Sequence, residues 1–341
     1  MFRVITTAVV VLLLALGGCT SNGRQADTTG IEQQIEFVDL NALLAGADFN
    51  APAQTHQELY QSCGSFWEDY TEHILQLGPA NDAGTLIPLR GFLDFDDTRA
   101  TNAAIHEVHS SRLAGYEKEL DAAFRRYRYF FPNDSLPDVV WYNSGFNYAV
   151  YPTESHLGIG LEFFLGPNHP IVENLSGELF PTYLREKMHP ELLVPDALRG
   201  WLLVHYQDRY YDSSTLVSTL IYWGKMMYLL DLMLPETADH LKMAYTAEQQ
   251  AWCEANERNL WIELSQQEIL FESRQFEINR WVADGPFTRA AGIPQEAPSR
   301  VGIWLGWRVV RDFVERNPDM PLEQILANTN YSAMLNAYRP Q

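Results

Sequence analysis

The longest apolar pattern in the chain covers residues 214–235, with the sequence STLVSTLIYWGKMMYLLDLMLP. Large apolar residues repeat at alternating spacings of four and three, which predicts one face of a helix. They are Leu216, Leu220, Trp223, Met227, Leu230 and Leu234. The other face is equally apolar, and the segment's only charged residues are Lys225 and Asp231. A helix that is apolar on all sides belongs inside a protein, so we predict a buried core helix rather than a membrane span.

The pattern changes between residues 138 and 165, where three short runs are rich in β-branched and aromatic residues. They are 138–142 (DVVWY), 146–151 (FNYAVY) and 156–164 (HLGIGLEFF). The short turns between them predict antiparallel hairpins. Amphipathic helical patterns dominate the remaining chain. The sequence therefore predicts an α+β fold that is mostly helical, with a small antiparallel sheet over residues 138–165.

The amino-terminal residues predict export. The chain begins MFRVITTAVVVLLLALGGCTSNG, with Arg3 before an apolar run and Gly17 and Gly18 at a cleavage position. This order is typical of a signal peptide, which we place at residues 1–18. The LGGC segment resembles a bacterial lipobox, in which the cysteine is acylated after cleavage, so we expect lipidation at Cys19. An ordinary signal peptide with an incidental cysteine is the alternative.

Composition predicts the division of the mature chain. Residues 20–33 (TSNGRQADTTGIEQ) are polar, so we assign residues 19–34 to a lipidated flexible tether and 35–341 to a single globular domain.

Thr20 and Ser21 follow the cysteine, and the absence of aspartate there resembles an outer-membrane sorting signal. The expected location is the outer membrane, with the domain on its periplasmic face.

The charge balance restricts the partners. With 44 acidic and 24 basic residues, the formal net charge is −20. Such a surface repels nucleic acid and anionic headgroups, so we expect no nucleic-acid partner and membrane contact only through the lipid anchor.

Two cysteines besides Cys19 leave two alternatives open. Cys63 and Cys253 could form one disulfide in an oxidising compartment, or both could be buried free thiols.

Candidate catalytic patterns are incomplete. His106 and His109 could share a metal ion at a spacing of three residues on one helix, but HEVH is one residue short of the HExxH zinc pattern. The alternative is two solvent-facing histidines. The acidic run GFLDFDDT lacks the alternating ligands of a calcium loop. We therefore predict no catalytic residue, metal ligand or cofactor, and lean against an enzyme.

Several segments, in their order along the chain, resemble a known family. The most specific are LEFFLG, YWGKMMY, WCEANE and GIWLGWRVV, and the similarity extends from about residue 55 to the end of the chain. They resemble the gliding-motility-associated lipoprotein B (GldB) family of Bacteroidota. The resemblance implies an outer-membrane lipoprotein needed for gliding and linked to type IX secretion, with proteins of that machinery as partners.

The segment order also resembles zincin metallopeptidases, which we state as a hypothesis. In that overlay Tyr222, Trp223 and Met226 replace the two histidines and the glutamate of HExxH, and Glu254 or Glu257 falls near the third ligand. These aromatic and thioether side chains cannot supply two imidazoles and a carboxylate base, so such a site would be inactive. Its empty cleft could bind a peptide along an edge strand formed by LGIGLEFFLG. A plain core helix without zincin ancestry is the alternative.

The first functional hypothesis is a non-catalytic, lipid-anchored accessory protein that binds envelope proteins or a peptide. Its candidate binding cleft comprises Tyr222, Trp223, Met226, Glu254, Glu257 and Glu162. The alternative is a periplasmic hydrolase of peptide or glycan, in which carboxylates such as Glu162, Glu254 or Glu257 act within an aromatic cleft.

Overall fold

The structure is a computed structural model that describes residues 24–32 and 34–341. The predicted signal peptide at 1–18 and the predicted lipidation site Cys19 lie outside the described residues. Within the described ranges, none of the helices combines the length and the apolar character that a membrane crossing requires.

The described residues up to position 160 hold the strands and six helices. These are β1 (Phe37–Asp39), α1 (Leu40–Ala45), α2 (Pro52–Cys63), α3 (Phe66–Asp69), α4 (Leu86–Asp94), α5 (Asp96–His109), α6 (Leu113–Phe130), β2 (Asp138–Tyr142), β3 (Val150–Pro152) and β4 (His156–Gly160). A π-helical turn (Tyr70–Ile74) follows α3, and 3-10 turns occupy Ala83–Thr85 and Leu161–Phe164.

The rest of the described chain is helical. Its helices are α7 (Pro170–Glu173), α8 (Thr182–Arg185), α9 (Leu193–His205), α10 (Gln207–Tyr210), α11 (Leu216–Met233), α12 (Asp239–Met243), α13 (Ala247–Leu264), α14 (Gln267–Leu270), α15 (Gln275–Val282), α16 (Val301–Arg316), α17 (Leu322–Ala327) and α18 (Tyr331–Ala337), with a 3-10 turn at Pro190–Leu192. The predicted α+β class is confirmed.

The sheet is mixed, not antiparallel throughout. Its strand order is β1-β2-β4-β3, with β1 parallel to β2, β2 parallel to β4, and β3 antiparallel to β4. The predicted hairpin therefore exists only between β3 and β4. After β2 the chain forms β3 at the edge of the sheet. The following segment then forms β4, which lies between β2 and β3. The expectation that LGIGLEFFLG supplies an edge strand is wrong, because β4 is paired on both sides.

Burial on both faces accompanies the parallel pairing of β2 and β4. The residues of β2 and β4 are almost all buried and show no alternation of polar and apolar side chains, as is typical of parallel strands covered by helices on both faces. Val139 and Trp141 point into a large cluster that contains residues of α6, α9, α11 and α16. Val140 and Tyr142 point into a smaller cluster with residues of α1 to α4.

The predicted core helix is confirmed as α11. Every residue of α11 except Trp223 is buried. Thr215 caps its start, because the Thr215 hydroxyl accepts from Ser218 N–H and the Ser218 side chain accepts from Thr215 N–H. The helix lies against α6, α9 and α16.

Glycines set the distance between α11 and α16. A Cβ atom built on Gly224 would lie 2.2 Å from the Gly306 carbonyl oxygen, and one built on Gly306 would lie 2.2 Å from the Leu220 carbonyl oxygen. Only glycine fits at such backbone separations. The GxxxG pattern of residues 302–306 therefore serves close packing between two core helices.

The two charges of α11 connect it to later helices. Asp231 accepts hydrogen bonds from Lys242 Nζ at 2.9 Å and Trp307 Nε1 at 2.8 Å, and Arg311 donates to both of its oxygens. Lys225 Nζ donates to the carbonyl oxygens of Leu326 at 2.8 Å and Asn328 at 2.7 Å. Buried charges require such partners, so these contacts fix α12, α16 and α17 on α11.

The two described cysteines are buried free thiols. Cys63 belongs to the smaller hydrophobic cluster and Cys253 to the larger one. Of the two alternatives for this pair, the disulfide is wrong.

Replacing Gly224 or Gly306 by alanine tests the helix contact. We expect each substitution to lower the free energy of unfolding by about 2 kcal/mol or more, because the added methyl group overlaps backbone atoms of the partner helix. Urea denaturation measures the change. Gly115→Ala in α6 is the matched control, since nothing lies within 4 Å of a Cβ at that position. Equal stability of the three variants would contradict the proposed role of the glycines.

Candidate functional site

Polar residues gather where two parallel strands end. Asn143 and Ser144 directly follow β2, and Glu162 lies in the 3-10 turn that follows β4. Because β2 and β4 are parallel neighbours, their carboxyl ends meet at the same edge of the sheet. Ligand sites in open sheets often lie at this edge.

Glu162 connects the two strand ends. Its side chain is completely buried, and its Oε1 accepts hydrogen bonds from Ser144 N at 2.8 Å, Phe146 N at 3.2 Å and the Ser144 hydroxyl. Oε2 has no hydrogen-bond partner among the described residues. Burial raises the pKa of Glu162 to about 7, although the Ser144 and Phe146 donors act in the opposite direction.

The loop that Glu162 holds has an uncommon backbone conformation. Gly145 and Phe146 have φ angles of 66° and 63°, in the left-handed region that a non-glycine residue such as Phe146 rarely adopts. The Phe146 ring packs against Phe163 and Phe180, with centroids 5.4 Å and 5.8 Å away. These contacts and the Glu162 hydrogen bonds maintain the conformation.

Asn143 is fixed by three hydrogen bonds. Its carbonyl oxygen accepts from the Tyr70 hydroxyl at 2.9 Å, its Oδ1 accepts from Gly145 N at 2.9 Å, and its Nδ2 donates to Asn102 Oδ1 at 2.8 Å. Burial, and secondarily the Glu162 carboxylate, raise the pKa of Tyr70, which keeps its hydroxyl protonated as the donor. Tyr70 begins the π-helical turn, an element frequent at functional sites.

These residues border a polar cavity of about 380 Å³, which we call the amide cavity. Its polar lining residues are Asn41, Asp48, Asn50, Tyr70, Arg90, Asp94, Asn102 and Asn143. Phe49 and Phe92 add aromatic surface. Neutral amides next to aromatic rings suit a ligand with many hydrogen-bonding groups and no strong charge, such as peptide backbone or hydroxylated glycan.

The charged groups of the amide cavity already have partners. Asp48 Oδ1 accepts from the backbone and side-chain nitrogens of Asn50, at 2.9 Å and 3.1 Å. Asp94 pairs with Arg90 at 3.5 Å. Asn41 Nδ2, by contrast, is a buried donor with no partner among the described residues. Such a donor is free to bind an acceptor on a ligand.

The aromatic and methionine residues of the predicted cleft lie in the core. Tyr222 and Met226 are buried, and the Tyr222 hydroxyl donates to the Leu203 carbonyl at 2.8 Å. Trp223 is half-buried and packs against the large cluster. The helix that lies against strands β3 and β4 is α9.

The three predicted carboxylates occupy separate environments. Glu254 is exposed and accepts from Gln250 at 2.7 Å. Glu257 is buried, pairs with Arg308 at 3.0 Å and accepts from the Tyr338 hydroxyl. Glu162 lies at the sheet edge. Glu254 and Glu257 thus lie one turn apart on α13, away from the 3-10 turn that carries Glu162, and none of the three lines the amide cavity.

The two helical histidines differ in environment. His106 is exposed, whereas His109 is buried and its Nε2 donates to the Leu161 carbonyl at 3.1 Å. Burial lowers the pKa of His109 to about 4, so it stays neutral. The interpretation of both as solvent-facing is wrong for His109, which helps to position the turn that carries Glu162. The described residues contain no cluster of three or more His, Cys, Asp or Glu suited to a metal ion.

A second cavity of about 410 Å³ lies between the loop before α9 and the start of α13. Its lining includes Tyr183, Lys187, His189, His240 and Tyr245. Burial lowers the pKa of Lys187 to about 8, and this amine already pairs with Asp284. The mixed lining does not select a class of ligand.

The pKa of Glu162 predicts a pH-dependent stability. The carboxyl ionises near pH 4.5 when unfolded and near pH 7 when folded, so unfolding releases a proton between these values and the free energy of unfolding falls as pH rises. We expect a loss of roughly 3 kcal/mol across this window, absent in Glu162→Gln. Urea denaturation at about pH 5 and about pH 7.5 measures it, with the exposed Glu254→Gln as control. An unchanged pH profile in Glu162→Gln would contradict the assignment.

Comparison with known proteins places this architecture in a family. The family model for gliding motility protein GldB matches residues 21–340, nearly the whole chain. No curated protein and no solved structure matches the chain. The match includes the sheet, both hydrophobic clusters and the amide cavity. The chain therefore belongs to the gliding motility protein GldB family.

Proposed function

We propose that the chain is a non-catalytic, lipid-anchored accessory protein of the cell envelope, which serves gliding motility and type IX secretion by binding a protein or peptide. The family supplies the association with gliding motility. The amide cavity supplies a surface for the contact, and it is the observation that carries the proposal.

The chemistry of the amide cavity favours binding of peptide backbone. A peptide segment offers alternating N–H and C=O groups, which the asparagine side chains match because each amide both donates and accepts. Asn143 is already fixed by Tyr70 and Asn102, so this side of the cavity is ordered before a ligand arrives. Such preorganisation lowers the entropy cost of binding.

The hydrolase alternative has less support. Acid–base hydrolysis of glycans needs two carboxyl groups at defined positions around one bond. Glu162, Glu254 and Glu257 have separate partners, and Glu162 is inaccessible from the amide cavity. Its hydrogen bonds to the 143–148 loop indicate a positioning role instead.

The proposed location follows from the sequence. We place lipidation at Cys19, after a signal peptide at 1–18, with a tether at 19–34 and one domain at 35–341 on the periplasmic face of the outer membrane. The lipobox and the absence of aspartate after Cys19 support this location. The net charge of −20 supports protein partners over nucleic acid.

Cys19→Ser tests the anchor. We expect the variant to move from the membrane fraction to the soluble envelope fraction, because it lacks the sulfur that carries the diacylglycerol. Cell fractionation measures the distribution, and Cys63→Ala, at a buried thiol, is the control that should stay with the membrane. If Cys19→Ser also stays in the membrane fraction, the anchor assignment fails.

Asn102→Leu tests the amide cavity. We expect partner recovery after pull-down from detergent-solubilised membranes to fall about tenfold, because the ligand loses a hydrogen bond worth about 1.4 kcal/mol or more. Asn259→Leu, at an exposed position of α13 outside the cavity, is the matched control. Equal recovery with both variants would contradict the proposed surface. Turnover of envelope peptides or glycans by the purified protein would favour the hydrolase instead.

A further inference from the structure

The structure describes part of the segment that connects the predicted lipid anchor to the domain. Arg24 Nη2 donates to the carbonyl oxygens of Asn317 at 3.4 Å, Pro318 at 3.0 Å and Met320. These carbonyls form a turn between α16 and α17, which we call the 317–320 turn. They lie just beyond the carboxyl end of α16, where the helix dipole favours a cation.

The 317–320 turn is itself ordered by hydrogen bonds. Asn317 N donates to Val314 O at 3.0 Å, and Met320 N donates to Asn317 O at 3.1 Å. The Asn317 side chain donates to Phe313 O at 2.7 Å. Arg24 therefore binds a preformed group of acceptors.

A second contact fixes the same segment further along. Arg125 in α6 donates from Nη1 to the Ile31 carbonyl at 3.0 Å, while its Nε donates to Asp121 at 2.7 Å. Between the two contacts, Thr29 N donates to Asp27 Oδ1 at 3.0 Å and Ile31 N to Thr28 O at 3.2 Å. Residues 24–31 thus follow the surface of the domain.

The covalent chain then limits how far the anchor can be from the domain. Only Thr20, Ser21, Asn22 and Gly23 separate Cys19 from Arg24. Five extended steps span at most about 18 Å. A lipidated Cys19 in the membrane surface would hold the Arg24 backbone within that distance of it, and the Arg24 side chain connects this backbone to the 317–320 turn.

We propose that the contact of Arg24 with the 317–320 turn orients the domain on the lipid surface, with this turn facing the membrane. The proposal rests on the proposed lipidation of Cys19. The turn follows α16, on the side of the sheet that packs into the large hydrophobic cluster. The amide cavity lies on the other side, among residues of the smaller cluster, and stays accessible to a partner protein.

The orientation is measured with the lipidated protein in vesicles of phosphatidylcholine and phosphatidylethanolamine that contain a nitroxide-labelled lipid. A fluorophore is attached through Asp319→Cys in the turn or through Gln57→Cys on α2, both at exposed positions. We expect several-fold stronger quenching at position 319 than at position 57. Equal quenching at both positions, or stronger quenching at position 57, would overturn the proposal.

Arg24→Ala separates the contact from the anchor. This variant should stay in the membrane fraction. The difference in quenching between positions 319 and 57 should shrink, because without the Arg24 contact a longer segment between Cys19 and the domain is free and the domain can rotate. Gln25→Ala, at the exposed neighbouring residue, should keep the difference. If the difference in quenching between positions 319 and 57 were undiminished in Arg24→Ala, the proposed role of Arg24 would be wrong.

Hydrogen exchange tests the contact without lipid. In the Cys19→Ser protein, the amides of Thr29 and Ile31 should exchange several-fold faster when Arg24→Ala is added, and no faster when Gln25→Ala is added. Unchanged exchange in both would overturn the contact. Retention of Cys19→Ser in the membrane would instead contradict the proposed anchor, so the two failures are distinguishable.

Discussion

The close contact between α11 and α16 is the constraint on which the rest of the structure depends. Gly224 and Gly306 let the two backbones approach until no methyl group fits between them. At that separation Trp307 and Arg311 of α16 reach Asp231 of α11, and Lys242 joins them from α12. A buried carboxylate with this many donors is stable only if all three helices are in place, so packing and charge pairing depend on each other.

The sheet connects this helix packing to the candidate site. The large cluster that contains α11 covers one face of β2 and β4, and the smaller cluster covers the other. Strands β2 and β4 run parallel, so their carboxyl ends lie at the same edge of the sheet. Ser144 and Glu162 meet there through a hydrogen bond, and the amide cavity opens beside the neighbouring Asn143.

Much of the fold could be predicted from periodicity. The core helix, its apolar faces and the small strand region all follow from the spacing of apolar residues. Strand direction could not be predicted in the same way, because short turns suggested hairpins. The absence of alternating polar and apolar residues within DVVWY and HLGIG is the sequence signal for parallel strands, and both strands are almost entirely buried. The strand at 37–39 was too short to give a pattern.

The candidate site was harder to predict. The sequence marks Glu162 as a candidate acid, yet its role follows from Ser144 and Phe146, which only the fold brings near. Asn143 stood in a predicted turn, and a polar residue directly after a buried strand was the only local sign of its importance. Tyr70 and Asn102 belong to distant helical segments, so no spacing rule connects them with Asn143. Tyr222 and Met226 lie in the core because α11 is apolar all round.

The separation of the two buried thiols has a consequence for how the protein matures. Cys63 and Cys253 lie in different hydrophobic clusters, so the described domain reaches its folded state without a covalent cross-link. The stability of the described domain then rests on packing, hydrogen bonds and ion pairs. Formation of a disulfide between Cys63 and Cys253 is therefore not a step in reaching this structure.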